Sequence, residues 1–386
     1  PNGLCASFDS TTMPDNTWVN LQATGDGPVG TYGSKGLPGG RAWFHVDYDT
    51  DTQELVFFGG GSGSYMSDLW TYRLNENIWH LRRAHPDLAG PCRRDNQSFV
   101  YDPINRLHWL FNGIAYHDLQ PGCEVGFDLN TLGRAGIWTY DRAANAWSKV
   151  LDAQGDLHRR LAPGMVYHPP THSFFEFGGE VTGAPNNTTY QFDIATRTWS
   201  LLNPPVKPSA RFNIESGLVY DSTRNLMVTF GGKPGPKGDT WVFDPVATTW
   251  TQRFPSVSPP AREKHGMAYD PINQVVILHG GQNGAGQALN DTWVYDVAAN
   301  TWTQLALAVP GPSLYHLNLV YDPAHQVVLL IPGTGMETFA FRYDSGSIPP
   351  DDTTDPSTPG NFQASASSAT EVALSWTAST DNLAVT

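Results

Sequence analysis

Five arginines recur at related positions in this chain: Arg41, Arg94, Arg160, Arg211 and Arg262. All but Arg211 stand seven residues before a tyrosine, at Tyr48, Tyr101, Tyr167 and Tyr269. A guanidinium is a planar fork of donors that matches carboxylates, sulfates and acidic sugars. His265 and His316 add groups able to hold or move a proton, with His45, Asn213, Glu215 and Glu263 as polar neighbours. These five arginines and the two histidines are the candidate ligand-binding residues. No catalytic residue can be assigned from spacing alone. The chain carries 37 Asp and Glu against 23 Lys and Arg, a net charge of −14. An anion is therefore repelled at long range and must be held by locally clustered arginine.

The remaining reactive types are sparse. Cys5, Cys92 and Cys123 form no CxxC or Cys/His spacing of a zinc or redox site, and neither a metal nor a cofactor is expected. Basic residues are too few and too scattered for backbone-driven nucleic-acid binding. No stretch approaches the ~20 apolar residues of a membrane-spanning helix. The chain opens at Pro1 without a Met or an apolar leader, and reads as a processed or excised segment. Sequons occur at Asn96, Asn186, Asn187 and Asn290.

The elements that must position these groups are short strands. Thirty-eight glycines and 30 prolines in 386 residues supply abundant turn chemistry, and 12% aromatics supply a core. One unit repeats. An aromatic-acid pair recurs at Tyr48-Asp49, Tyr101-Asp102, Tyr220-Asp221, Tyr269-Asp270 and Tyr321-Asp322, with Tyr167-His168 as a variant. Ten residues after each pair stands a small-residue doublet: Gly59-Gly60, Asn112-Gly113, Gly178-Gly179, Gly231-Gly232, Gly280-Gly281 and Pro332-Gly333. An aromatic and a tryptophan seven residues apart follow, as in Tyr72/Trp79, Tyr140/Trp147, Phe192/Trp199, Phe243/Trp250 and Tyr295/Trp302.

Each unit decodes into four strands. Asp and Pro in Asp270-Pro271-Ile272-Asn273 suit a type I turn, the run Val275–Leu278 a buried strand, and Asp291–Tyr295 an alternating one. A four-stranded period of ~50 residues fits a propeller blade. The sixth unit lacks its fourth strand, and Trp18-Val19-Asn20-Leu21 matches those strands. The N-terminal strand is therefore expected to complete the last blade, pairing within Glu337–Asp344. Closure would also hide sheet edges.

With the glycine doublet, the tyrosine and the tryptophan at this spacing, residues 16–344 resemble the kelch-repeat propellers. The resemblance implies an all-β, six-bladed β-propeller. It leaves function open, since such propellers include sugar oxidases, lyases, mutarotases and interaction modules. In this fold the arginines would surround the channel mouth on one face. They then either take an anionic ligand or hydrogen-bond loop carbonyls, as kelch arginines at this position often do. The copper of kelch sugar oxidases needs two Tyr and two His. Tyr315-His316 and Tyr116-His117 are adjacent pairs here, but that family has seven blades and takes a ligand from a further domain.

Ten of thirteen tryptophans hold repeat positions and Trp376 suits a sandwich core, which leaves Trp43 and Trp109 as candidate ligand platforms. Blade two has an unusually long loop, Ile114 to Gly136. A Cys92–Cys123 bridge would pin it, implying an oxidising compartment and leaving Cys5 over. Asn186 and Asn187, on a loop of the arginine-bearing face, are the best glycosylation candidates.

Residues 345–361 have linker composition. Residues 362–386 resemble the opening of a fibronectin type III domain, a partial β-sandwich, with Trp376 in the second strand. The expected organisation is thus a propeller over 1–344, a linker over 345–361 and an incomplete segment over 362–386. The favoured function is a secreted or cell-surface module for binding or assembly, filament formation included, within a longer extracellular protein. Its partner would be a glycan, a protein surface or further copies of itself. The alternative is a carbohydrate-active enzyme, a polysaccharide lyase or sugar oxidase, working on the arginine-bearing face.

Overall fold

The computed structural model describes residues 8–28, 35–61, 65–115, 136–151, 160–214, 217–333 and 337–346, with the backbone of 360–366 and 372–377. Six antiparallel four-stranded blades form a propeller, and the sheet of blade one carries a fifth, parallel strand, Thr24–Gly25. Helix among the described residues is confined to the 3-10 turns Ser10–Thr12 and Pro169–Thr171. Blade five shows the plan. Its strands Gly266–Asp270, Val275–His279, Thr292–Asp296 and Thr301–Gln304 follow one another outward from the channel.

The burial pattern explains the sequence of each strand. Val275–His279 is buried throughout, whereas Thr301–Gln304 buries only Trp302. Apolar residues of neighbouring blades share one core, as where Val228, Phe230 and Val242 meet Leu278, Trp293 and Tyr295. The Tyr-Asp turns form as expected: Asp270 Oδ1 accepts the N–H groups of Ile272 (2.9 Å) and Asn273 (3.2 Å). We call the edge with these turns the lower face, and the edge with the doublets the upper face.

The ring closes through its N-terminal strand. Trp18–Asn20 pairs antiparallel with Phe339–Phe341, in the register Trp18 to Phe341 and Asn20 to Phe339. The chain then continues into Thr24–Gly25, which pairs in parallel with Ile78–Trp79 of blade one. One short segment therefore binds the last blade to the first.

The doublets and the outer tryptophans join adjacent blades. A Cβ on Gly231 (φ +70) would lie 2.6 Å from the Arg262 carbonyl oxygen of the next blade. Gly232 donates its N–H to that same oxygen at 2.9 Å. Only glycine combines this close approach with a left-handed backbone at no steric cost. Outer tryptophans reach back one blade: Trp250 donates to Thr189, Trp302 to Thr240 and Trp79 to Thr338, each at 2.9 Å.

The propeller forms one compact unit, Pro1–Tyr343, and Asp344–Thr386 forms another. In the second, Gly360–Ala366 pairs antiparallel with Val372–Thr377 as a two-stranded ribbon.

Candidate functional site

The five arginines face inward. Arg41, Arg94, Arg160, Arg211 and Arg262 are each at most 3% exposed. Arg262 holds Asp291 with two hydrogen bonds of 2.7 Å and donates to the Gly280 carbonyl at 2.9 Å. Arg211 repeats the pattern with Asp239 (2.9 and 2.7 Å) and Gly231 (3.0 Å), and Arg41 with Asp68 and Gly59. Arg160 pairs with Glu176 at 2.8 Å and also donates to Gly178 and Thr188. Arg94 reaches the carbonyls of Asn112 and Gly136. Of the two environments the sequence left open, an anionic ligand or loop carbonyls, the guanidinium forks are seen with main-chain carbonyls, joined in four blades by a carboxylate.

The acidic partner is part of a repeated clamp. Asp68, Asp239 and Asp291 lie two residues before Trp70, Trp241 and Trp293, and each accepts that indole N–H at 2.6–2.8 Å. Burial alone would raise the Asp291 carboxyl. The bonds from Arg262 and Trp293 hold it below the ordinary aspartate range. An Asp-x-Trp paired with an upstream Arg was visible in the sequence, and it marks this clamp.

What surrounds the upper mouth is a second sixfold set. Trp43, Asn96, Ala162, Asn213, Lys264 and His316 stand two residues past the arginine position, or past Leu314 in blade six, and all have φ between +48 and +58. Backbone hydrogen bonds link neighbours: Asn96 to Trp43 (2.9 Å), Ala162 to Asn96 (3.0 Å), Lys264 to Asn213 (3.3 Å) and His316 to Lys264 (3.0 Å). Trp43, an unusual residue for a left-handed backbone, is 36% exposed. Its ring meets His316 edge-on at 5.1 Å, and Lys264 lies 5.5 Å from the Tyr315 ring. Trp43, Lys264, His265 and His316 line one small depression.

Both candidate histidines are neutral at ordinary pH. Burial, and then Arg262, push His265 down to about 3. Burial, and then Lys264 and Lys233, push His316 down to about 3. His279, buried between Thr292 and the Pro312 carbonyl, falls to about 4.

A histidine with a depressed folded pKa gains its proton first in the unfolded chain. Its contribution to stability is intact above about pH 6.5 and declines as pH falls toward the folded value. The slope is about 1.4 kcal/mol per pH unit per histidine. Asp47, Asp270 and Glu176 are raised by burial and work in the opposite sense. We therefore expect His279→Gln to flatten the fall of the urea midpoint between pH 7 and pH 4.5 relative to the parent. Parallel curves would refute the assignment.

The remaining expectations divide. Trp109 is 3% exposed and packs on Phe111, Phe174 and Phe192, so it is core and not a platform. Cys92 is buried and disulfide-bonded. Cys123 and Cys5 lie outside the described residues, as do Glu215, Tyr116-His117 and most of the blade-two loop. Asn186 accepts from the Thr188 N–H at 2.7 Å, and the Asn187 amide donates to the Pro208 carbonyl at 3.3 Å. Among the described residues no three His, Cys, Asp or Glu side chains gather as a metal site.

Comparison with known proteins agrees with this geometry. The family model described as the KLHDC2/KLHL20/DRC7 Kelch-repeats domain matches residues 222–329, from blade four into blade six. Multiple epidermal growth factor-like domains protein 8 of Mus musculus is 23% identical over 300 residues, covering 74% of this chain and 10% of that protein. Kelch domain-containing protein 10 of Rattus norvegicus is 27% identical over 250 residues, covering 61% of this chain and 58% of that protein. The chain thus spans only part of the length of either relative.

Proposed function

We propose that this propeller is a protein-docking module of a longer extracellular or cell-surface polypeptide, engaging its partner through the upper face around Trp43. The exposed Trp43 carries the reading. Large aromatics flanked by polar groups are the usual anchors of protein interfaces. This one is fixed in a left-handed backbone beside His316, within a depression that Lys264 also lines. Kelch propellers are typically interaction modules, which agrees with the match over residues 222–329. The bonded Cys92 supports an oxidising compartment, as does the likeness to a protein named for epidermal growth factor-like domains. Asn186 and Asn187 are the glycan acceptors in this reading, and the tail ribbon begins a fibronectin-like sandwich. The enzymatic alternative would work on the same upper face, where Arg262 is buried against Asp291.

The test is photo-crosslinking of the full chain on intact cells, with the reactive group at position 43 or, as a control, at position 272. Ile272 is an exposed residue of the lower turn. Protein adducts are expected from position 43 and not from 272; adducts on a second copy of this chain identify self-assembly, and glycan adducts a sugar partner. Adducts confined to position 272 would refute upper-face docking. With a purified partner, Trp43→Ala should weaken binding about tenfold or more. Its stability should stay within about 1 kcal/mol of the parent.

A further inference from the structure

The channel holds a cavity of about 400 Å³ toward the lower face, lined by the inner strands of all six blades. Its size lies in the range of small-molecule sites. Immediately before each lower-face tyrosine stands a residue of the wall. Five are short and apolar: Val100, Val166, Val219, Ala268 and Val320. In blade one the residue is Asp47. Nothing in the repeat demands a carboxylate there.

Asp47 is oriented by two backbone groups. One oxygen accepts the Tyr48 N–H at 2.8 Å, and the other accepts the Tyr101 N–H at 2.7 Å. A carboxylate offers about four lone-pair sites, so acceptor capacity remains. Among the described residues lining the cavity, none is Lys or Arg. Burial pushes the Asp47 carboxyl upward, with the two N–H bonds, His108 and His45 pulling against it. The Tyr167 hydroxyl is shielded from solvent and therefore from the cavity. Tyr48, Tyr101, Tyr220 and Tyr269 commit theirs to Asp322, Asp51, Asn225 and Thr223.

We propose that the lower part of the channel binds a small organic cation, an alkyl- or arylalkyl-ammonium, with its charge on Asp47 and its apolar body along the valine wall. The ammonium supplies the countercharge that the wall lacks. Tyrosine faces suit such cations. The chain's net charge of −14 favours cation entry. This site is separate from the proposed docking face and stands or falls independently of it.

Calorimetric titration of the full chain with phenethylammonium, 2-phenylethanol and 3-phenylpropionate tests the site. Phenethylammonium should bind at least about tenfold more tightly than the alcohol, with no detectable carboxylate binding. Asp47→Asn should remove that preference, and Ala268→Trp, which fills the cavity without touching the carboxylate, should abolish all binding. Equal affinity for ammonium and alcohol, failure of all three probes to bind, or unchanged binding in Ala268→Trp overturns the proposal. These outcomes decide it even if Asp47→Asn fails to fold.

Discussion

Arg262→Ala is expected to lower the unfolding free energy by about 3–5 kcal/mol, the usual effect of breaking a buried ion pair by removing one partner. The guanidinium is wholly buried, and its loss strands Asp291, the Gly280 carbonyl and the Pro260 carbonyl together. Arg262→Lys should recover only part of the loss, because an ammonium cannot reproduce the two-pronged contact. Replacing both charges, as Arg262→Met with Asp291→Leu, should recover more than the lysine does, since no unpaired charge remains. Urea unfolding followed by tryptophan fluorescence measures all three. A near-parental midpoint for Arg262→Ala would contradict the clamp and restore a ligand-facing role for the arginine ring.

Trp18→Ala should be comparably severe, at about 3–5 kcal/mol for a buried tryptophan. The indole is 8% exposed, stacks on Phe341 at 4.9 Å and donates to Thr292 of blade five at 2.9 Å. Its removal weakens the closing strand and its grip on the preceding blade at once. Val19→Ala, on the half-buried neighbour in the same strand, is the control and should lose less than about 1.5 kcal/mol. Thermal unfolding of both variants distinguishes a closing strand from an ornamental one. Equal and small losses would mean that the ring is held shut elsewhere.

The sequence carried those features that side-chain identity alone determines. Tyr-Asp turns, glycine doublets and outer tryptophans each require a particular residue type, so the blade count and the Trp18 closure could be read directly. The arginines were located correctly, but their environment, an anionic ligand or loop carbonyls, was left open. Their orientation depends on Asp68, Asp239 and Asp291, some 27 to 29 residues downstream, and a single strand's pattern does not reveal such a partner. The upper annulus was hidden for another reason. Trp43, Ala162 and Lys264 share a left-handed backbone without sharing any chemistry. Asp47 was legible only once the inner strands were aligned, where it interrupts a column of valine and alanine.

The strand that closes the ring is made before every blade and used only when the last blade is complete. Trp18 meets Phe341 across nearly the whole propeller sequence. At ~5–20 residues per second, the intervening stretch takes roughly 15–65 s to synthesise. Throughout that interval blades one to five can collapse in order while the Trp18 segment waits without its sheet, an apolar edge available to any other nascent chain. Faithful folding of this protein is thus a problem of timing during translation. A holdase covering Trp18–Asn20 during that interval is expected to raise the yield of closed propeller.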